Sequence, residues 1–121
     1  HRRAVARSTD GGRTWSAPEL DSALIEPVCQ ASVLHVSLAP ADVLLFCNPA
    51  STERERLTVR ASLDGGRTWP VSRLLWPGPA AYSDLAALPN GSIACLSEQG
   101  DGTAYERIRL QVFGLEWAVG T

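Results

Sequence analysis

The sequence predicts an all-β fold made of antiparallel meanders, with the repetition of a propeller. Three observations carry this reading. The stretch RSTDGGRTW at residues 7–15 returns as ASLDGGRTW at 61–69, and self-similarity at a period on the order of 50 residues marks repeat or propeller architecture. Short alternating or apolar segments recur along the chain with turn chemistry between them. No window shows a convincing helical stripe; the nearest is the last segment, where Ile108, Leu110 and Val112 alternate while Phe113 and Leu115 break the phase.

Taken in order, AVARS (4–8) reads as a strand leading into the first repeated turn. SVLHVSL (32–38) alternates apolar and polar residues, and APAD (39–42) breaks it. VLLFCN (43–48) is a short apolar run, and LTVRAS (57–62) alternates into the second repeated turn. VSRLLW (71–76) follows and ends at PGPA, then comes YSDLAALP (82–89). Asn90-Gly91 is the strongest two-residue hairpin signal and opens NGSIACLSE (90–98). Asn90-Gly91-Ser92 is also a glycosylation sequon, although Asn-Gly needs no reason beyond the turn. YERIRLQVFGLEW (105–117) completes the series as a strand.

Composition narrows the class. With 121 residues, 45% of them hydrophobic, the chain has room for one small globular domain. A net charge of −2 gives no electrostatic case for nucleic acid or an anionic membrane as partner. No apolar run is long enough to span a bilayer. All 11 basic residues are arginine, a coding bias rather than a function. Cys29, Cys47 and Cys95 form neither an even framework nor a CxxC pair, and His1 and His35 are the only histidines. The expectation is buried thiols, no zinc and no other metal. The chain opens on HRRAVARS, which reads as a strand already under way, and so as a piece of a longer polypeptide.

The repeated stretch has a physical reading. An Asp carboxylate accepts hydrogen bonds from amides just downstream and fixes a tight turn. Gly11-Gly12 supplies positive φ without steric cost, Thr14 returns a hydroxyl bond, and Trp15 is expected to fold into the core and anchor the corner. Ser8, Asp10, Gly12 and Trp15 thus form one clasp, and Ser62, Asp64, Gly66 and Trp69 repeat it. The pattern is similar to the Asp box, S-x-D-x-G-x-x-W. Asp10 and Asp64 are accordingly structural carboxylates, on a rim away from chemistry.

Other motifs carry a resemblance over nearly the whole chain. CQASV (29–33), NP (48–49), LTVR (57–60), AYSDL (81–85), IACLSE (93–98) and YERIRL (105–110) occur in the order and with the spacing of corresponding segments of exo-α-sialidases. The resemblance implies a six-bladed β-propeller with four-stranded blades. Residues 1–121 would be about two blades from the C-terminal portion of that domain, truncated at the N-terminus. It implies a retaining glycoside hydrolase releasing terminal sialic acid from glycoproteins, glycolipids or oligosaccharides, with no cofactor and no metal.

Site residues follow from the same resemblance. Tyr82 would be the nucleophile. Sialic acid carries a carboxylate at its anomeric carbon, which repels an anionic nucleophile; a neutral phenol avoids this and becomes reactive when a neighbouring glutamate takes its proton. Arg54 would grip the substrate carboxylate as one of three arginines. Arg56, two residues on and read on the same face, competes with it, and spacing favours Arg54. Glu98 would hold an arginine of that set in position. Arg60 is read as solvated, Asp84 has no catalytic part, and Tyr105 and Glu106 have a structural place only.

The other two arginines, the acid/base aspartate and the activating glutamate have no candidates; Arg2, Arg3 and Arg7 lie too close to the first Asp box. The chain alone is therefore expected to be inactive, because catalytic groups acting as a unit do not give partial activity. Cut from its ring it would expose edges and apolar faces, and is expected to be marginally soluble or to aggregate. Two further readings stand: a non-enzymatic Asp-box propeller binding a glycan or protein, which needs only Asp10, Trp15, Asp64 and Trp69, and a sialidase-like binder of acidic sugars without activity. The sequence identifies no compartment.

Overall fold

The computed structural model describes residues 1–38 and 41–120, so the Ala39-Pro40 part of the expected break lies outside them. Eight strands and one short helix follow in order: β1 (Arg2–Val5), β2 (Glu19–Ile25), β3 (Ser32–Leu38), β4 (Ala41–Pro49), β5 (Glu55–Ser62), β6 (Val71–Ala87), β7 (Ser92–Gln99), β8 (Arg107–Gly114) and α1 (Leu115–Val119). β1 and β2 form a two-stranded antiparallel ribbon, and β3 to β8 form one antiparallel meander in sequence order. The all-β expectation holds, with blades of a propeller as the building unit.

The core shows why the strands form where they do. Val43, Leu45 and Cys47 on β4 alternate inward, as do Leu57, Val59 and Ala61 on β5 and Ile93 and Cys95 on β7, all at most 1% exposed. In a flat sheet β4 and β7 would stand three strand spacings apart, roughly 14 Å. Instead the Cys47 and Cys95 sulfurs are 3.8 Å apart. The meander therefore curls on itself and closes a core between its two halves. All three cysteines are free and buried, and the Cys95 sulfur contact, then burial, pushes the Cys47 thiol well up from its ordinary value.

β6 makes the join. Val71 to Trp76, and again Pro79, pair with β5, and Ala80 to Ala87 pairs with β7. Pro77, Gly78 and Pro79 do not end the strand as the sequence suggests; it runs through them for 17 residues. Proline has no amide to donate, so both prolines are tolerated where the strand leaves one partner for the other. The last strand of one blade thus becomes the first of the next.

Three other expectations are corrected, and one strand appears that the sequence did not announce. The first strand lies at Arg2–Val5 rather than at 4–8. β2 carries no clear signal, since among its residues only Leu24 is fully buried. The Asn90-Gly91 turn is a three-residue loop. Pro89 occupies its first corner, the Gly91 amide donates to the Leu88 carbonyl at 2.9 Å, and Gly91 alone is left-handed at φ 87°. The final strand stops at Gly114, and Leu115–Val119 turns helical because that places Ala118, fully buried, with Leu115 and Val119 under the core; Gly120 closes the helix at φ 83°. No helix among the described residues is long and apolar enough to cross a membrane.

Candidate active site

The two clasps are superposable in their bonding. In the first, Ser8 Oγ donates to Asp10 Oδ1 at 2.8 Å and accepts the Gly12 amide at 2.8 Å. Asp10 accepts the Arg13 and Thr14 amides at 3.0 and 2.9 Å and the Thr14 hydroxyl at 2.6 Å. In the second, the corresponding bonds from Ser62, Asp64, Gly66, Arg67 and Thr68 repeat these lengths within 0.1 Å. Donors from Thr14 and Ser8 lower the Asp10 carboxyl to about 2, and Thr68 and Ser62 lower Asp64 further still. The tryptophans differ. Trp69 packs on Phe46 at 5.9 Å between ring centroids and reaches Asp21 on β2. Trp15 does not enter the core: it is 63% exposed and bonds the Gly12 carbonyl of its own turn. Its clasp sits on the thin β1–β2 ribbon, where no second layer covers it among the described residues.

The second clasp begins where β5 ends, and Arg54 immediately precedes its start. Eight strand residues at ~3.3 Å each put the clasp roughly 25 Å from Arg54. The Asp64 carboxylate is thus remote from Arg54.

At the Arg54 end, sequence-distant groups converge. Ala80 pairs with Gln99 and Ser83 with Ser97, so two residues of β6, Ala81 and Tyr82, oppose the single residue Glu98 of β7. This is a β-bulge, a device that re-aims a side chain. Ala80 and Ala81 are both buried, and Tyr82 points out, 49% exposed. Glu98 Oε1 accepts the Tyr82 amide at 3.1 Å. This carboxylate caps the peptide that the bulge leaves unpaired, and no arginine meets it among the described residues. Gln30, just after Cys29, brackets Ser83: its amide group accepts from the Ser83 N–H at 3.0 Å and donates to the Ser83 carbonyl at 2.9 Å. An open cleft of about 430 Å³ is lined by Gln30, Tyr82, Asp84, Leu96, Glu98 and Ile108.

Arg54 Cζ stands 5.7 Å from the Tyr82 ring centroid. Its Nη1 donates to the Tyr105 hydroxyl at 2.7 Å and its Nη2 to the Val28 carbonyl at 3.1 Å. The Tyr105 hydroxyl, then the Cys29 thiol, push the guanidinium pKa upward, so it stays charged. Arg56 is not on the same face. Its backbone is left-handed at φ 62°, the register slips between Glu55 and Leu57, and its side chain is exposed. Val28, at φ 57°, is the other left-handed residue besides glycine among those described. Both outliers flank Arg54, and strained backbone of this kind clusters at working sites.

Arg60 is also corrected: it is 9% exposed, reaches Asn48 Oδ1 at 3.4 Å, and burial lowers its pKa. β5 is covered on both faces from Leu57 to Ser62, so the polar phase of the strand is interior too. Sequence reasoning missed Val28 and the Tyr105 contact, for which no local signal exists; Gln30 sits in the quoted CQASV segment. Among the described residues no cluster of three or more His, Cys, Asp or Glu could hold a metal.

Comparison with known proteins adds the following. The BNR repeat-like domain family matches residues 1–95. A sialidase of Micromonospora viridifaciens is 42% identical over 119 residues, covering 93% of this chain and 18% of that protein. A sialidase of Bacteroides fragilis (strain YCH46) is 38% identical over 109 residues, covering 79% of this chain and 19% of that protein. Among solved structures, Hadza microbial sialidase Hz136 superposes with a TM-score of 0.80 at 35% identity, over 98% of this chain and 24% of that one. The chain spans about a fifth of the length of these relatives.

Proposed function

Because the chain belongs to the BNR repeat-like domain family, and to its sialidases, we propose that residues 1–121 form the C-terminal portion of an exo-α-sialidase propeller that releases terminal sialic acid from glycoconjugates with retention. Tyr82 is the nucleophile and Arg54 one arm of the carboxylate clamp. The observation that supports this best is the half-exposed phenol ring beside a charged guanidinium, 5.7 Å from centroid to Cζ, with no carboxylate on that guanidinium among the described residues.

Arg54 fixes the anionic end of the sugar, which turns the anomeric carbon toward Tyr82. The phenol loses its proton to a glutamate supplied by a preceding blade and its oxygen attacks that carbon. The bond to the leaving sugar breaks, and an acid from another blade protonates the departing oxygen. Water, deprotonated by that same group, then attacks the anomeric carbon and breaks the aryl glycosidic bond to Tyr82, whose departing oxygen takes back the proton held by the glutamate. Glu98 holds the bulge that aims the ring. Since acid and base lie on other blades, the chain by itself does not turn over.

The test is Tyr82→Phe in the whole propeller polypeptide. Hydrolysis of a fluorogenic sialoside should fall at least a thousandfold, on the order of the loss seen when a nucleophile is removed, with circular dichroism and thermal midpoint unchanged. Turnover that survives the substitution removes Tyr82 from the mechanism and favours a binding role for the propeller.

A further inference from the structure

We propose that Tyr105 is a positioning residue for Arg54: its hydroxyl, together with the Val28 carbonyl, sets the plane of the guanidinium so that the remaining N–H groups face an incoming carboxylate. This rests on the reading of Arg54 as a carboxylate clamp.

The Tyr105 ring has little structural reason to be there. It is 63% exposed, and its hydroxyl contact spans 51 residues of sequence at 2.7 Å. The loop that presents it is built stiff. Glu106 Oε2 accepts the Gly102 and Thr103 amides at 2.6 and 2.8 Å, and these bonds hold the Glu106 carboxyl below its ordinary range. Thr103 Oγ1 accepts the Tyr105 amide at 3.3 Å. A Cβ at Gly100 would collide with the Thr103 carbonyl and with Glu106, so the loop closes only over glycine.

The chemistry of the two acceptors fits an anion clamp. A carboxylate on Arg54 would compete with the substrate for the guanidinium. A phenol oxygen and a peptide carbonyl orient it and leave its positive charge uncompensated. The carbonyl comes from Val28, whose left-handed backbone at φ 57° is unfavourable for a β-branched residue.

The experiment uses the whole propeller polypeptide, with Tyr105→Phe, Arg54→Lys and the double variant. Tyr105→Phe keeps the ring and its loop, and its thermal midpoint serves as the folding control. KM for a fluorogenic sialoside should rise about tenfold, the scale of one charge-assisted hydrogen bond, with kcat nearly unchanged. In the Arg54→Lys background the same change should add nothing. Inhibition by sialic acid should weaken in Tyr105→Phe while inhibition by its methyl ester does not, a difference that general loosening of the loop would erase. The proposal is overturned if Tyr105→Phe leaves KM unchanged, if its effect multiplies with that of Arg54→Lys, or if acid and ester weaken alike. If Arg54→Lys itself leaves KM unchanged, the clamp reading fails first and the proposal with it.

Discussion

The duplicated clasp allows one substitution to be made twice in different surroundings. Ser62 is fully buried and its Oγ accepts the buried Gly66 amide at 2.9 Å. Ser8 makes the same bond to Gly12 at 2.8 Å in solvent. Ser62→Ala strands a donor away from water, which costs about 1–3 kcal/mol; Ser8→Ala lets water replace the hydroxyl, and the loss is about 0.5 kcal/mol. The two should therefore differ by roughly 0.5–2.5 kcal/mol, a factor of about 2–70 in the folding constant. Equilibrium urea unfolding of the whole propeller, followed by tryptophan fluorescence, measures it, and amide exchange at Gly66 and Gly12 locates it. Equal losses from the two variants would refute the claim that burial sets the weight of the clasp.

Three further predictions follow the same physics. The Asp10 and Asp64 carboxyls sit below their unfolded value of about 3.9, so the stability they contribute is complete above about pH 5 and is lost as pH falls through about 2 for Asp10 and lower for Asp64; thermal midpoints from pH 5 to 2 should fall less steeply in the Asp10→Asn/Asp64→Asn double variant, and an unchanged slope would exclude the clasps as its source. Cys29, Cys47 and Cys95 are buried, so iodoacetamide at pH 8 should label none of them in the folded propeller and all of them in urea; rapid labelling without denaturant would contradict the packing. Leu96, Ile108, Leu110 and Val112 form an exposed apolar face on β7 and β8, 49–64% exposed, so the isolated chain should self-associate and Leu110→Glu should reduce this in sedimentation velocity; a monodisperse monomer with a sharp reversible melt would show that the face needs no cover.

Much of the frame was legible because β-strands that bury one face announce themselves by alternation. SVLHVSL marks β3 at both ends, and the repeated clasp marks both corners. The misreadings share a cause. Arg60 was placed in solvent because alternation assumes one open face, whereas β5 is covered on both. β2 left no trace, since Leu24 is its one fully buried residue. Pro77 and Pro79 look like a stop and are a change of partner. α1 is a packing decision made by Ala118 rather than by local preference. At the candidate site, Arg54 and Tyr82 are singled out by motifs and the fold brings them within 5.7 Å of each other, while Val28 and Tyr105 meet Arg54 only through the tertiary fold. Glu98 was read through its motif, while its bond to the Tyr82 amide follows from a bulge that cannot be read from one strand alone.

The unbroken run of β6 has a consequence for how such a molecule could be altered. The Ala80 amide holds the Arg54 carbonyl at 2.9 Å, and the Tyr82 ring lies two residues further along the same girder. Guanidinium and phenol therefore move as one body, whatever the outer blades do. A single residue inserted between Pro79 and Tyr82 would swing the phenol through the sheet to the opposite side, and no adjustment elsewhere in the ring could bring it back.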